Sequence, residues 1–368
     1  MPKKEKELSE FEKKLNIWVT HYLSRVKTVQ KILFISHLKT MVKAGLSLIE
    51  ALKILSQEIE NKKLKNIIAK IKEGIEKGNQ LSEMLGKYPR VFPPIYVNMI
   101  AAGETAGKME EALEQVAAQM KKSAELNSKI RGAMIYPAVI IVAMISISIE
   151  IVFFVLPKLM VMFKEFDAQL PISTRILIAV VDFGQNYGIW LGIGIVLFII
   201  GFYLLMKKPA IKKLMHKIYL KLPIFGMIIK KISLARFTMT LSSLLQSTIP
   251  IIEATKICSD VQTNVIYRQN LLDTSEALKK GRPLSEILAE NPDTFPPMVT
   301  EMIMVGEQSG KTEDMLAELS EYYGNEVDTT MKNFTTIIEP VIILILGFAV
   351  AGIAVAVIMP MYSLAQNI

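Results

Sequence analysis

From residue 31 to residue 133, apolar side chains return every three or four positions. Ile32, Phe34-Ile35, Leu38 and Met41-Val42 form one stripe, and Leu48, Leu52 and Leu55 begin another. That period belongs to an α-helix with one buried face. The interruptions read as helix ends. Gly45 stops the first helix and Ser47 caps the second. Gly78 ends a third, and Ser82-Glu83 falls in a short one. Phe92-Pro93-Pro94 is a rigid bend, because proline fixes φ and pushes the preceding residue out of the helical region. The stretch from Gly103 to Gly107 breaks the next helix, and a long helix starts at Lys108. No alternating strand pattern flanked by Asn-Gly turns occurs in the chain.

A different pattern appears in three segments. Met134 to Leu156 is uncharged apart from Glu150, and Tyr187 to Met206 and Val341 to Met361 carry no charge. Each has about the 20 residues that a helix needs to cross a bilayer. These expectations divide the chain into a charged lead-in (1–30), a helical bundle (31–133), a transmembrane helix (134–156) and an outer loop (157–186). A second transmembrane helix (187–206), a second bundle (207–336), a third transmembrane helix (337–361) and a short outer tail (362–368) follow. The lead-in turns amphipathic around Leu15, Trp18, Tyr22 and Val26. It has no apolar core of the signal-peptide type.

The two bundles are copies of one another. Phe92-Pro93-Pro94, Met99-Ile100, Gly103-Glu104, Gly107-Lys108, Glu110 and Leu113 recur 203 residues later. The second set is Phe295-Pro296-Pro297, Met302-Ile303, Gly306-Glu307, Gly310-Lys311, Glu313 and Leu316, so 11 of 22 positions are identical without a gap. The offset also relates Ile49-Glu50-Ala51 to Ile252-Glu253-Ala254, Gly78 to Gly281, Leu81-Ser82-Glu83 to Leu284-Ser285-Glu286, and Pro137 to Pro340. A constant offset over such a length marks a duplicated module. The fold class is therefore all-α: an integral membrane protein with two duplicated helical-bundle domains and three transmembrane helices.

Charge orients it. Residues 207–236 hold nine Lys or Arg and no acid, whereas the loop 157–184 holds three of each sign. Positive segments stay inside, which places both bundles and the N-terminus in the cytoplasm and the C-terminus outside. The formal charge of +8 is then explained by topology and by anionic lipid, and direct nucleic-acid binding is not needed.

Composition and spacing remove several chemistries. Cys258 is the only cysteine, which excludes an intrachain disulfide and a Cys-x-x-Cys redox pair. His21, His37 and His216 share no ligand spacing, and no dense acidic loop suggests a metal site. Gly306 to Lys311 resembles a phosphate-binding loop, but three residues separate its glycines where the nucleotide motif has four. No nucleophile–base pair can be placed. Neither a catalytic residue nor a cofactor is expected.

The remaining candidates are structural or partner-facing. Gly103, Glu104, Gly107, Gly306, Glu307 and Gly310 form two helix breaks. They are hinge or partner-contact candidates, in which each glutamate would cap the free N–H groups of the next helix. Glu150 lies inside a span, where a carboxylate is costly, and suits an interhelical hydrogen bond or a protonated side chain near the outer interface. Gly188 and Gly192, Gly347 and Ala351, and Gly352 and Ala356 stand four apart. That spacing lets membrane helices pack closely, within one chain or between copies.

The doubled Phe-Pro-Pro … Gly-Glu-x-x-Gly-Lys module resembles the type II secretion system protein F family. Lys129-Ile130 through Tyr136-Pro137, Pro157-Lys158, Leu170-Pro171 with Thr174-Arg175, and Glu339-Pro340 add to the resemblance, which covers residues 30 to 365. It implies two cytoplasmic six-helix bundles and three membrane helices. It also implies a non-enzymatic inner-membrane platform of a type IV pilus, type II secretion or competence machine. The partners implied are a hexameric cytoplasmic assembly ATPase, inner-membrane adaptor proteins, pilin or pseudopilin subunits and further copies of the chain. An oligomeric transporter or channel is the alternative, since transporters also use internal repeats.

Overall fold

The computed structural model describes residues 26–155, 157 and 172–366. Every regular element among them is a helix. The lead-in residues Leu15, Trp18 and Tyr22 lie outside the described residues, as do 158–171 of the outer loop.

The first repeat comprises α1 (Thr28–Lys43), α2 (Leu48–Glu58), α3 (Lys62–Glu76), α4 (Leu81–Gly86), α5 (Pro94–Thr105) and α6 (Met109–Glu150). A π-helical turn, Ile151–Val155, closes α6. Next come α7 (Ile172–Met206) and α8 (Pro209–Lys221). The second repeat comprises α9 (Pro223–Gln246), α10 (Ile251–Val261), α11 (Val265–Leu278), α12 (Leu284–Ala289), α13 (Pro297–Ser309) and α14 (Thr312–Gln366).

Two compact units emerge. One contains residues 26–126 together with Ile229–Gly324, and so holds the helical bundles of both repeats. Each bundle closes on an aromatic pair at equivalent positions. The rings of Phe34 and Phe92 lie 5.8 Å apart, and those of Phe237 and Phe295 lie 5.4 Å apart. All four are at most 1% exposed. Each such ring contributes about 1.5–3 kcal/mol by leaving water. Tyr267 adds to the second cluster, edge-on to Phe295 at 5.6 Å, and its hydroxyl donates to the Thr294 carbonyl at 2.7 Å.

Local chemistry sets the helix ends. Ser47 accepts from the Glu50 amide, and the Glu50 carboxylate accepts from the Ser47 amide, a reciprocal capping box. The Ser47 hydroxyl also donates to the Glu50 carboxylate at 2.8 Å, and that bond, with the Ser47 amide second, holds Glu50 below the usual carboxylate range. Asn61 and Asn264 cap α3 and α11 at equivalent positions, each side-chain oxygen accepting from amides of the first turn. Gly45 sits in the left-handed region at φ +86°. Its counterpart in the second repeat is Thr248, at φ +60°, the one non-glycine residue with positive φ among those described.

The repeats also touch within this unit. Gln115 and Gln119 of α6 reach the C-terminal end of α9. The Gln115 amide donates to the Gln246 carbonyl at 3.1 Å while its oxygen accepts from the Ser247 hydroxyl. Ser243 donates to the Gln119 oxygen at 2.7 Å. Beside them α5 packs on α10.

The second unit holds Asn127–Ile228 and residues from Asn325 onward. It contains the apolar parts of α6, α7 and α14, each long and apolar enough to cross a membrane. Lys129 pairs with Asp328 at 3.6 Å, and Phe225 meets Phe334 at 6.2 Å. Pro137 lies inside α6 and Pro340 at the equivalent place inside α14. Two boundaries differ from expectation. Residues 172–186 belong to helix α7 rather than to a loop, because Ile176 to Val181 is itself an unbroken apolar run. Likewise residues 362–366 continue α14, with no helix breaker after Pro360.

Candidate functional site

The Gly-Glu motif is a clasp, and it points backward along the chain. Glu104, in the last turn of α5, accepts from the Leu81 amide at 2.6 Å, the Ser82 amide at 3.1 Å and the Ser82 hydroxyl at 2.6 Å. Glu307, in α13, accepts from the Leu284 amide at 2.6 Å and the Ser285 amide at 3.2 Å, and also from the Ser285 hydroxyl. The expectation that each glutamate caps the following helix is therefore corrected. The capped helix is the preceding short one, α4 or α12, reached over 23 residues of sequence. The reason is local. Residues at the N-cap positions of these helices, Gln80 and Pro283, supply no side-chain cap. The first amides of each would otherwise be unsatisfied, and a carboxylate at a helix N-terminus meets both free donors and a favourable dipole.

The paired glycines do two different jobs. Gly103 and Gly306 lie inside α5 and α13, not at the break. A Cβ on Gly103 would stand 2.2 Å from the Cβ of Ala112, and one on Gly306 would stand 2.8 Å from the Cα of Thr312. Absence of a side chain is what lets α6 and α14 start so close to the preceding helices. Gly107 and Gly310 hold the reversal itself, at φ +69° and +72°. The carbonyls of Gly103 and Gly306 accept from the Lys108 and Lys311 amides at 2.7 and 2.8 Å, which closes the turn. Among the described residues, Lys108 pairs with neighbouring Glu111, at 3.2 Å on the surface.

Among the described residues, no group of three His, Cys, Asp or Glu could hold a metal ion. Cys258 is buried, and burial pushes its thiol up. The membrane candidates are spread apart. Glu150 is exposed at the end of the α-helical part of α6. Gly188 of α7 packs on the ring of Phe153, which a Cβ would meet at 2.8 Å. Gly192, Gly347 and Gly352 face no atom of the described residues within 4 Å, and Ala351 is exposed. Ala356 is helical, on the same helix α14.

Comparison with known proteins bears on this geometry directly. The model of "Type II secretion system (T2SS), protein F" matches twice, over residues 34–157 and 237–360. The chain belongs to the type II secretion system protein F family. The two matches are offset by the same 203 residues as the repeats, and each contains one complete clasp. Type IV pilus assembly protein PilC of Myxococcus xanthus is 32% identical over 337 residues, covering 92% of this chain and 81% of the relative. PilC of Pseudomonas aeruginosa is 31% identical over 343 residues, covering 92% and 91%. Type II secretion system protein F of Vibrio cholerae is 32% identical over 335 residues, covering 91% and 82%.

Three features of this F-family chain escaped the sequence reading. Ser82 and Ser285 were visible as repeated residues, yet only the fold shows them bound by glutamates far along the chain. Thr248 stands at the place of Gly45, and nothing in the identity of a threonine marks its positive φ. Gln115 and Gln119 carried no signal, because their repeat counterparts are Glu318 and Tyr322 and no motif includes them.

Proposed function

We propose that this F-family protein is the inner-membrane platform of a type IV pilus or type II secretion machine. In this reading it couples a cytoplasmic assembly ATPase to polymerisation of pilin or pseudopilin subunits. The observation that carries the reading is the duplicated module itself. Each copy is a helical bundle whose last helix, α6 or α14, continues into a stretch apolar enough to span a bilayer. Relatives at similar identity bear names from both pilus assembly and secretion, which suits one platform serving either machine.

The bundles and N-terminus lie in the cytoplasm and the C-terminus outside, an orientation supported by the base-rich segment 207–236. Force from the ATPase enters the bundles, and the helices they share with the membrane carry it onward. No bond is made or broken by the chain. Gly107 and Gly310 are the points at which a helix pair changes direction, and they are the places where α6 and α14 can reorient relative to α5 and α13.

Photo-crosslinking in native membranes tests this, with probes at Ala106 and Ser309, which are exposed beside the two clasps. Recovery of a hexameric ATPase, its membrane adaptor or a pilin-like subunit is expected. Recovery of none of these, together with selective solute flux through the purified protein in liposomes, would replace the platform by a transporter.

A further inference from the structure

The contact between the two repeats is one-sided. Gln119 is 2% exposed, but its repeat counterpart Tyr322 is 43% exposed. Ser247 is buried and Ser243 half-buried, while their counterparts Ala44 and Thr40 are exposed. The neighbouring helix repeats the asymmetry. Ile95 of α5 is buried and Ala102 half-buried, whereas Met298 and Val305, in the same places on α13, are 38% and 51% exposed. A contact with two-fold symmetry between repeats would bury both members of each pair alike. This one joins the α5–α6 face of the first repeat to the α9–α10 face of the second, head to tail. It leaves one copy of each face uncovered.

We propose that the α13–α14 face of the second repeat docks on the α1–α2 face of the first repeat in another copy of this chain. The docking reproduces the internal contact between molecules. Three observations select a second copy as the occupant. The uncovered faces are duplicates of two surfaces that already fit one another inside the molecule. Their charges are complementary where the internal contact is neutral. Gln115, which bonds at Gln246 and Ser247, becomes Glu318, and Gln246 becomes Lys43. From Thr312 to Gly324 there are four acids and no base. Lastly, exposed apolar side chains stand on both sides, with Met298 and Val305 on α13 and Ile49, 37% exposed, on α2. Lys43 pairs with Glu110 at 3.4 Å within its own repeat, an exposed pair that costs little to give up.

A head-to-tail contact is heterologous, so one copy of it leaves a free face on each chain, and repeated application closes a ring of two or more chains or builds an open array. It also sets the order of repeats around such an assembly as first, second, first, second. The inference does not depend on the platform role, since it can be read in membranes containing only this chain.

The test uses the full-length protein with Cys258 replaced by alanine and single cysteines introduced by Glu318→Cys or Lys43→Cys. Differently tagged copies of the two single variants are co-expressed and treated with a short bismaleimide. The expected product joins one tag to the other. Absence of the mixed product or equal self-linking of each single variant would overturn the proposal. Charge exchange gives a second readout. Glu318→Lys should weaken association at least about tenfold, and adding Lys43→Glu should restore it. A folded Glu318→Lys protein whose mass distribution in detergent is unchanged would also overturn it.

Discussion

Glu104 and Glu307 show how a single side chain can fix a bundle. Each carboxylate satisfies two helix amides and a serine hydroxyl, all on a helix of six residues that has no cap of its own. Glu104→Ala should lower stability by about 1–3 kcal/mol, as expected when partly buried donors lose their acceptor. Glu104→Gln should cost less, because one oxygen remains. Thermal unfolding in detergent reads both, and the Glu307 variants should behave alike. Thr248 predicts the opposite sign. A β-branched residue in the left-handed region costs about 1–2 kcal/mol, against about 0.5–1 kcal/mol for the extra freedom of an unfolded glycine. Thr248→Gly should therefore raise the melting temperature. Tyr267 carries a pH dependence. Burial, with a smaller contribution from Tyr323, pushes its phenol well above the ordinary value near 10. Its contribution to stability is fully present below that ordinary value and is lost as pH rises above it, because only the unfolded chain then ionises freely. Tyr267→Phe should cost about 1 kcal/mol at neutral pH through the lost bond to Thr294. It should also flatten the fall in stability above pH ~10.

At the scale of elements, the two glycines of each Gly-Glu-x-x-Gly turn separate into a packing position and a conformational one. Gly103→Ala should destabilise by about 1–3 kcal/mol through overpacking against Ala112. Gly107→Ala meets no neighbour and should cost about 1–2 kcal/mol through φ alone. D-alanine, introduced at position 107 by semisynthesis, should recover that loss, whereas at 103 it should not. Helix α8 poses a different case. It buries none of its residues, and Leu214 and Ile218 are exposed beside Lys212, Lys213 and Lys217. Such a helix suits an anionic membrane surface. His216 on the same helix is half-buried, and that partial burial, with Lys212 second, holds it below the ordinary imidazole range.

For the whole molecule, orientation is the testable property. With Cys258 buried and its thiol pushed up, a cysteine placed at Lys213 should be the one labelled by a thiol reagent. That labelling should appear only after the cells are permeabilised, if the base-rich segment lies inside. Labelling of intact cells would reverse the topology proposed above.

The sequence by itself determined the helical class, the duplication and the three apolar helices, because periodicity, a fixed offset and unbroken apolar length are local quantities. It also determined the turn glycines Gly45, Gly78 and Gly107, since a left-handed residue is recognisable from its identity and its place at the end of a stripe. Tertiary structure alone decided the direction in which Glu104 and Glu307 reach, because their partners are more than twenty residues away and nothing in the spacing names them. It alone decided that Gly103 and Gly306 serve close approach, since that depends on where the next helix lies. The repeats look alike in sequence, yet Gln119 is buried and Tyr322 is exposed. Which copy of a duplicated surface is covered depends on how the two copies meet, and that is settled only when the chain has folded.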